Sequence, residues 1–347
     1  MTMKSTAERP SLKLGHSMKP RQLTMMGLGS AIGAGLFLGS GAGVRAAGPA
    51  VLISYLVAGT LIILVMWALG EMAAANPNSG AFSVYAAKAM GRTAGATVGW
   101  LWWLQLVVVI AAEALGAAAL LFTVWPLIPV WALSLVFMGL FTAINLAGVK
   151  NFGEFEFWFA SIKVAAIVLF LLFGVAAILG FIPGVPAPGM SNLLENGGFM
   201  PNGPGAVLAG ILVVVFSFFG AEIATIAAGE SENPVDAVKK AVKSTVWRIL
   251  VFYIGSIAIV VTLLPWNSAS VAKSPYVAVI ELYGIPGAGT IMDIVVLTSV
   301  LSCLNSGLYT ASRMLFSLSR RGDAPRSWMR ISKRGVPAAA VLVSTVV

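Results

Sequence analysis

Four ionisable residues, Glu113, Lys163, Glu222 and Asp293, stand well inside long apolar runs of a 347-residue chain. A charge at membrane depth costs about 3 kcal/mol on insertion scales, so each marks a functional group by default, with a plainer reading beside it. Glu113, in VVIAAEALGAAAL, is too deep and too short to reach a headgroup. Its carboxylate faces a cationic group of a ligand or, protonated, bonds to a neighbouring helix. Lys163 lies roughly 10 Å into its run, at 1.5 Å per residue. It either snorkels to the surface or binds and releases a proton inside. Glu222 directly follows a glycine interruption and reads as a proton- or ligand-responsive group, or as a carboxylate closing unwound backbone. Asp293 reads as a solvated cap near an outer end, Glu71 as interfacial and Cys303 as a packing residue. With His16 the single histidine, there is no triad or histidine-rich metal cluster to build.

The backbone is a second source of chemistry. In Met25–Phe37, MMGLGSAIGAGLF, the residues Gly27, Gly29, Gly33 and Gly35 crowd the centre of the first apolar run. Each costs about 1 kcal/mol against alanine in a helix interior, so the pattern predicts a helix that breaks. A second interruption, Phe216-Ser-Phe-Phe-Gly-Ala-Glu222, falls five apolar runs later. Interrupted helices in corresponding positions of two halves point to an inverted-repeat transporter site. A break after Ile32 exposes the amides of Ala34, Gly35 and Leu36, which suit an anion. Carbonyls freed before the breaks suit an ammonium, and together they suit an amino acid zwitterion. Phe216 and Phe219 are candidates to line it, while Phe218 reads as an ordinary packing or lipid-facing ring. Gly29-x-x-x-Gly33 and Gly35-x-x-x-Gly39 also fit close helix packing, and that reading stays open. A dinucleotide loop is excluded because no strand precedes these glycines.

The elements that must position these groups are membrane helices. The chain is 59% hydrophobic and 10% charged, against about 25% charged in a soluble domain. At about 20 residues per crossing, the pattern predicts eight spans near 22–44, 49–75, 94–122, 127–147, 157–181, 205–228, 247–265 and 288–317. A ninth begins at Val336 and is cut by the end of the chain. The organisation expected is a cytoplasmic tail at 1–21, a five-helix repeat at 22–181, an outer loop at 182–204 and an incomplete second repeat at 205–347. With the N-terminus cytoplasmic, inner segments hold nineteen of the 22 Lys and Arg residues, which satisfies the positive-inside rule. The net charge of +9 is therefore a topology signal and does not imply nucleic acid.

Stretches along nearly the whole chain, among them GSAIGAGLFLGSG, GEMAAANPNSGAFSVYA, NLAGVKNFGEFEFW, FSFFGAEIATIAAGESENP and NSGLYTASRMLFSLSRRGDAP, carry a resemblance. The chain resembles bacterial amino acid permeases of the amino acid–polyamine–organocation superfamily, in the proton-coupled branch. GGFMPNG and FFGAEIATIAA are most similar to the gamma-aminobutyrate permeases. The resemblance implies the all-α leucine-transporter-like fold, with inverted repeats and broken helices 1 and 6. It implies a substrate carboxylate on the amides of Gly33, Ala34, Gly35 and Leu36, and an amine or side-chain pocket at Ala31, Glu113, Phe216 and Phe219. It implies proton coupling at Lys163, which stands where sodium-coupled relatives hold sodium, and Glu222 joins it as a coupling candidate. The function expected is proton-driven import of an amino acid across the plasma membrane by alternating access, with no cofactor beyond the proton. The alternatives are a sensor that binds without flux and an inactive truncated permease; an enzyme finds no nucleophile–base pair.

Overall fold

The computed structural model describes residues 22, 25, 29, 32–76, 78, 80–182, 187–223, 234–272, 274–285 and 287–347. All regular structure among them is helical. Besides a single helical turn at Ser191–Leu194, the α-helices are α1 (Ala34–Phe37), α2 (Gly39–Ala47), α3 (Val51–Ala75), α4 (Ala81–Met90), α5 (Arg92–Val124), α6 (Val130–Ala147), α7 (Val149–Ile178), α8 (Gly203–Ser217), α9 (Pro234–Trp247), α10 (Ser256–Leu263), α11 (Pro275–Leu282), α12 (Ala288–Arg321) and α13 (Ala338–Val346). A π-helical stretch, Arg248–Gly255, joins α9 to α10.

Six helices among the described residues are long and apolar enough to cross a bilayer, and Gly203–Ser217 is a shorter apolar one. This differs from the expected eight for a physical reason. The run 34–75 joins the first two expected spans across a 3-10 turn at Gly48–Ala50. Gly48 takes φ +63° there, and a proline follows it. The sixth expected span is cut at Ser217, where α8 stops.

The bundle is built around α12, whose every residue from Ser299 to Ser319 is buried. It packs chiefly against α5 and α7, while α8 lies against α2 and α3. Its interior is rich in Ser, Thr and Asn, as expected where small and polar residues let membrane helices approach. At one end of the bundle Arg92 donates to Asp323 at 2.9 Å and to the Gly322 carbonyl at 3.0 Å. These contacts tie the start of α5 to the end of α12. Two cations that add to the expected cytoplasmic excess, Arg248 and Arg313, are buried. Arg313 lies 3.5 Å over the Tyr309 ring, one helical turn away, and Phe152 stacks on that ring.

Candidate functional site

The first break is where the glycine excess placed it. Ile32 and Gly33 lie outside helix, and α1 starts at Ala34 with an extended Gly33, φ −143° and ψ −153°, as its cap. Extended backbone does not itself demand glycine; space does. A Cβ on Gly33 would run into the Cys303 sulfur and sit 3.1 Å from Glu113 Oε1. The groups freed by the break are held by side chains from three other elements. The Lys163 ammonium, on α7, donates to the Ile32 carbonyl at 3.0 Å. The Cys303 thiol, on α12, donates to the same oxygen at 3.4 Å and sits 3.9 Å from the Lys163 nitrogen. The Ala34 amide donates to Glu113 Oε2, on α5, at 3.4 Å. Glu113, Lys163 and Cys303 are all buried.

The second break touches the first. A Cβ on Gly35 would lie 2.7 Å from the Ser217 Cα and 2.9 Å from the Phe216 carbonyl oxygen. The Ser217 hydroxyl donates to the Gly35 carbonyl at 2.6 Å, and Tyr55 reaches Ser217 at 3.3 Å. Beyond Ser217 the chain turns through Phe218–Glu222 with Gly220 at φ +92°, a conformation open to glycine and strained for other residues. Gly29 closes on α7, where its Cβ would sit 2.5 Å from that of Ala160. Glycines 29, 33 and 35 thus serve both readings of the sequence, close packing and a break, against different neighbours.

Of the residues expected in the site, Gly33, Ala34, Gly35, Glu113 and Lys163 come together. The Leu36 amide also donates inside the chain, to the Gly33 carbonyl at 3.2 Å. Ala31 lies outside the described residues. Phe216 brings its backbone to Gly35, but the residue is 41% exposed. Phe218 is a packing ring, stacked on Tyr253 and edge-on to Tyr55. Glu222 stands apart from the Lys163 group: its partners include Trp102 and Arg248. It borders a cavity of about 380 Å³ lined also by Ile62, Met66, Phe82 and Leu101.

Two members of the cluster are not legible as such in the sequence. Cys303, read as packing, touches both the Lys163 ammonium and the freed carbonyl. Glu156, just outside the run read as span five, is fully buried on α7 and accepts from the Ser302 hydroxyl at 2.7 Å. It also feels the Lys163 charge. The available signal is its spacing, seven residues before Lys163 and so on the same helix face. Near it Asn145 donates to Asn305 at 3.0 Å, so the polar interior links α6, α7 and α12. Among the described residues no group of His, Cys, Asp and Glu has the makings of a metal site.

Comparison with known proteins adds a family to this geometry. The family model described as amino acid permease matches residues 22–347. The gamma-aminobutyric acid permease of Bacillus subtilis is 53% identical over 332 residues, covering 96% of this chain and 71% of the relative. That of Escherichia coli is 52% identical, covering 96% and 72%. The aromatic amino acid transport protein AroP of Corynebacterium glutamicum is 48% identical, covering 95% and 72%. Among solved structures, Mhp1, a nucleobase-cation-symport-1 family transporter in a closed conformation, aligns with a TM-score of 0.62 at 17% identity, covering 97% of this chain and 73% of that one. The fold is thereby related to the leucine-transporter-like inverted repeat.

Proposed function

The chain belongs to the amino acid permease family, and from that premise we propose that it imports gamma-aminobutyrate or a related amino acid by proton symport. That it is a multi-pass transport protein for amino acids, and not an enzyme, follows from the family. The substrate, the coupling ion and the residue roles are our reading. So are the plasma membrane, a cytoplasmic N-terminus and the two repeats at 22–181 and 205–347.

The observation that carries the reading is the pairing at the first break of a turn of amides outside the helical ladder, Gly33–Gly35, with a buried ammonium, Lys163, on the carbonyl one residue earlier. The amides suit a substrate carboxylate. Its amine then lies toward the second break, near the carbonyls of Phe216 and Phe219 and the Glu113 carboxylate. Lys163 holds the break as an ammonium; giving up its proton removes a charge-assisted bond to Ile32 and frees the two arms of the first span to move. Proton and substrate are thus coupled through one peptide unit. Glu222, beside Arg248, is a further coupling candidate facing its own cavity.

Uptake into proteoliposomes under an imposed proton gradient tests this. Lys163→Gln should abolish pH-driven accumulation while leaving binding of labelled gamma-aminobutyrate measurable. Accumulation that survives the change, or that follows a sodium gradient, sinks the coupling assignment. A panel of unlabelled amino acids competing against labelled gamma-aminobutyrate decides the substrate.

A further inference from the structure

The Ala34 amide, which the proposed function assigns to the substrate carboxylate, is engaged by a carboxylate of the protein itself. Glu113 Oε2 accepts from it at 3.4 Å, and Glu113 Oε1 lies 3.1 Å from where a Gly33 side chain would begin. One glutamate therefore spans the first two residues of the cradle. It is buried, on α5, and the other charge it feels is that of Lys163. A long contact of this kind at a helix start is a weak hold, easily exchanged for a closer one.

Resting on the carboxylate-cradle reading, we propose that Glu113 is an internal stand-in for the substrate carboxylate and that substrate binds by exchange with it. An incoming carboxylate takes the Ala34 amide; Glu113 swings off and, still buried, needs a cation. A zwitterion brings that cation with it. The exchange makes Glu113 a specificity-determining residue, because it demands both charges on one ligand. A plain carboxylic acid would set its carboxylate against the buried Glu113 carboxylate with no cation between them, and like charges repel strongly away from bulk water. A plain amine would approach Glu113 without displacing it and leave the cradle filled. The charge separation of the ligand then follows from how far Glu113 moves, which favours a flexible chain between the two groups.

Binding of gamma-aminobutyrate, butyrate and butylamine, which share one carbon chain, distinguishes this from simple contact with the amine. Wild-type protein should bind the first and discriminate strongly against the other two. In Glu113→Gln the displaced group no longer repels an anion. The preference for gamma-aminobutyrate over butyrate should then fall at least about tenfold, or about 1.4 kcal/mol, mostly through improved butyrate binding. Glu113→Asp withdraws the carboxylate from the amide yet keeps a charge for the amine. Gamma-aminobutyrate should bind it several-fold more tightly, a gain that damaged folding does not mimic. An unchanged preference in Glu113→Gln, or weaker binding in Glu113→Asp, overturns the exchange. Gly35→Ala checks the cradle separately and should lose gamma-aminobutyrate binding with Glu113 intact. Retained binding there overturns cradle and exchange together. Loss there with an unchanged preference in Glu113→Gln overturns the exchange alone.

Discussion

The two helix breaks meet at Gly35 and Ser217 but differ in where their partners come from. At the first, the freed carbonyl of Ile32 and the freed amide of Ala34 go to side chains from α7, α12 and α5. At the second, much of the backbone satisfies itself, and the Glu222 carboxylate accepts from the Gly220 amide. Phe218 bonds back to Val215, Phe219 to Phe216, Ala221 to Phe218 and Ile223 to Gly220, all across three residues. Buried backbone groups must be paired somewhere, and the choice of partner decides what the break can do. Self-bonded turns hold a shape. Bonds to an ammonium and a carboxylate respond to a proton and a ligand. The first break, held from three other helices, is therefore the more responsive part of the site, and the second, bonded mostly within its own turns and to its own Glu222, the more fixed.

That contrast is open to direct attack. Its largest expected effect is at Gly33, where a methyl group collides with Cys303 and crowds Glu113. Gly33→Ala should lower uptake by about a hundredfold, near 2.7 kcal/mol in the relevant step. Pairing it with Cys303→Gly should restore part of that rate, and a normal rate in the single variant removes the side-chain hold from the account. Next comes Gly220→Ala, which forces a side chain into φ +92° at a cost of about 1–2 kcal/mol. Because most of this break's hydrogen bonds stay within its own backbone, the loss should appear as a lower thermal midpoint in detergent with substrate Kd within about threefold, under 1 kcal/mol. A collapse of affinity without loss of stability would make the second break responsive too. Glu156→Gln keeps an acceptor for Ser302 but removes the charge beside Lys163. We expect a shifted pH profile of uptake and a rate down by about fivefold, roughly 1 kcal/mol; an unmoved profile reduces Glu156 to packing. Smallest is Glu222→Gln, whose partners lie in another cluster. It should leave gamma-aminobutyrate Kd unchanged by equilibrium binding, and a Kd shift of about tenfold, or about 1.4 kcal/mol, would merge the two clusters into one site.

Much of the first break is legible in the amino-acid sequence. Glycines in an apolar run carry a propensity penalty that must be explained, and an acid or lysine there carries a solvation penalty. Gly33, Glu113 and Lys163 announce themselves on those grounds. Cys303 does not, because a small apolar thiol looks the same in sequence whether it packs or bonds. Glu156 is hidden by company: in FGEFEFWF two acids sit two apart at the end of an apolar run, which looks like an interface. Only the fold separates Glu154, which accepts from Gln22, from Glu156, which turns inward. Arg248 and Arg313 are hidden in another way. They add to a charge bias, yet both are buried, one on the π-helical stretch and one against the Tyr309 ring and the Ser312 hydroxyl of α12.

The enclosure of α12 bears on how such a protein is made. Of the six candidate crossing helices it is the least hydropathic and the most deeply enclosed. Polar residues near the middle of a segment oppose its partition from the translocon into lipid, and this segment carries Ser299, Ser302, Asn305, Ser306 and Arg313. Its retention depends on a waiting groove, and α5 and α7, which form that groove, leave the ribosome earlier. Chain order thus delivers the receptor before the guest. The helix that presents Cys303 to Lys163 is one that the bilayer alone would be slow to accept.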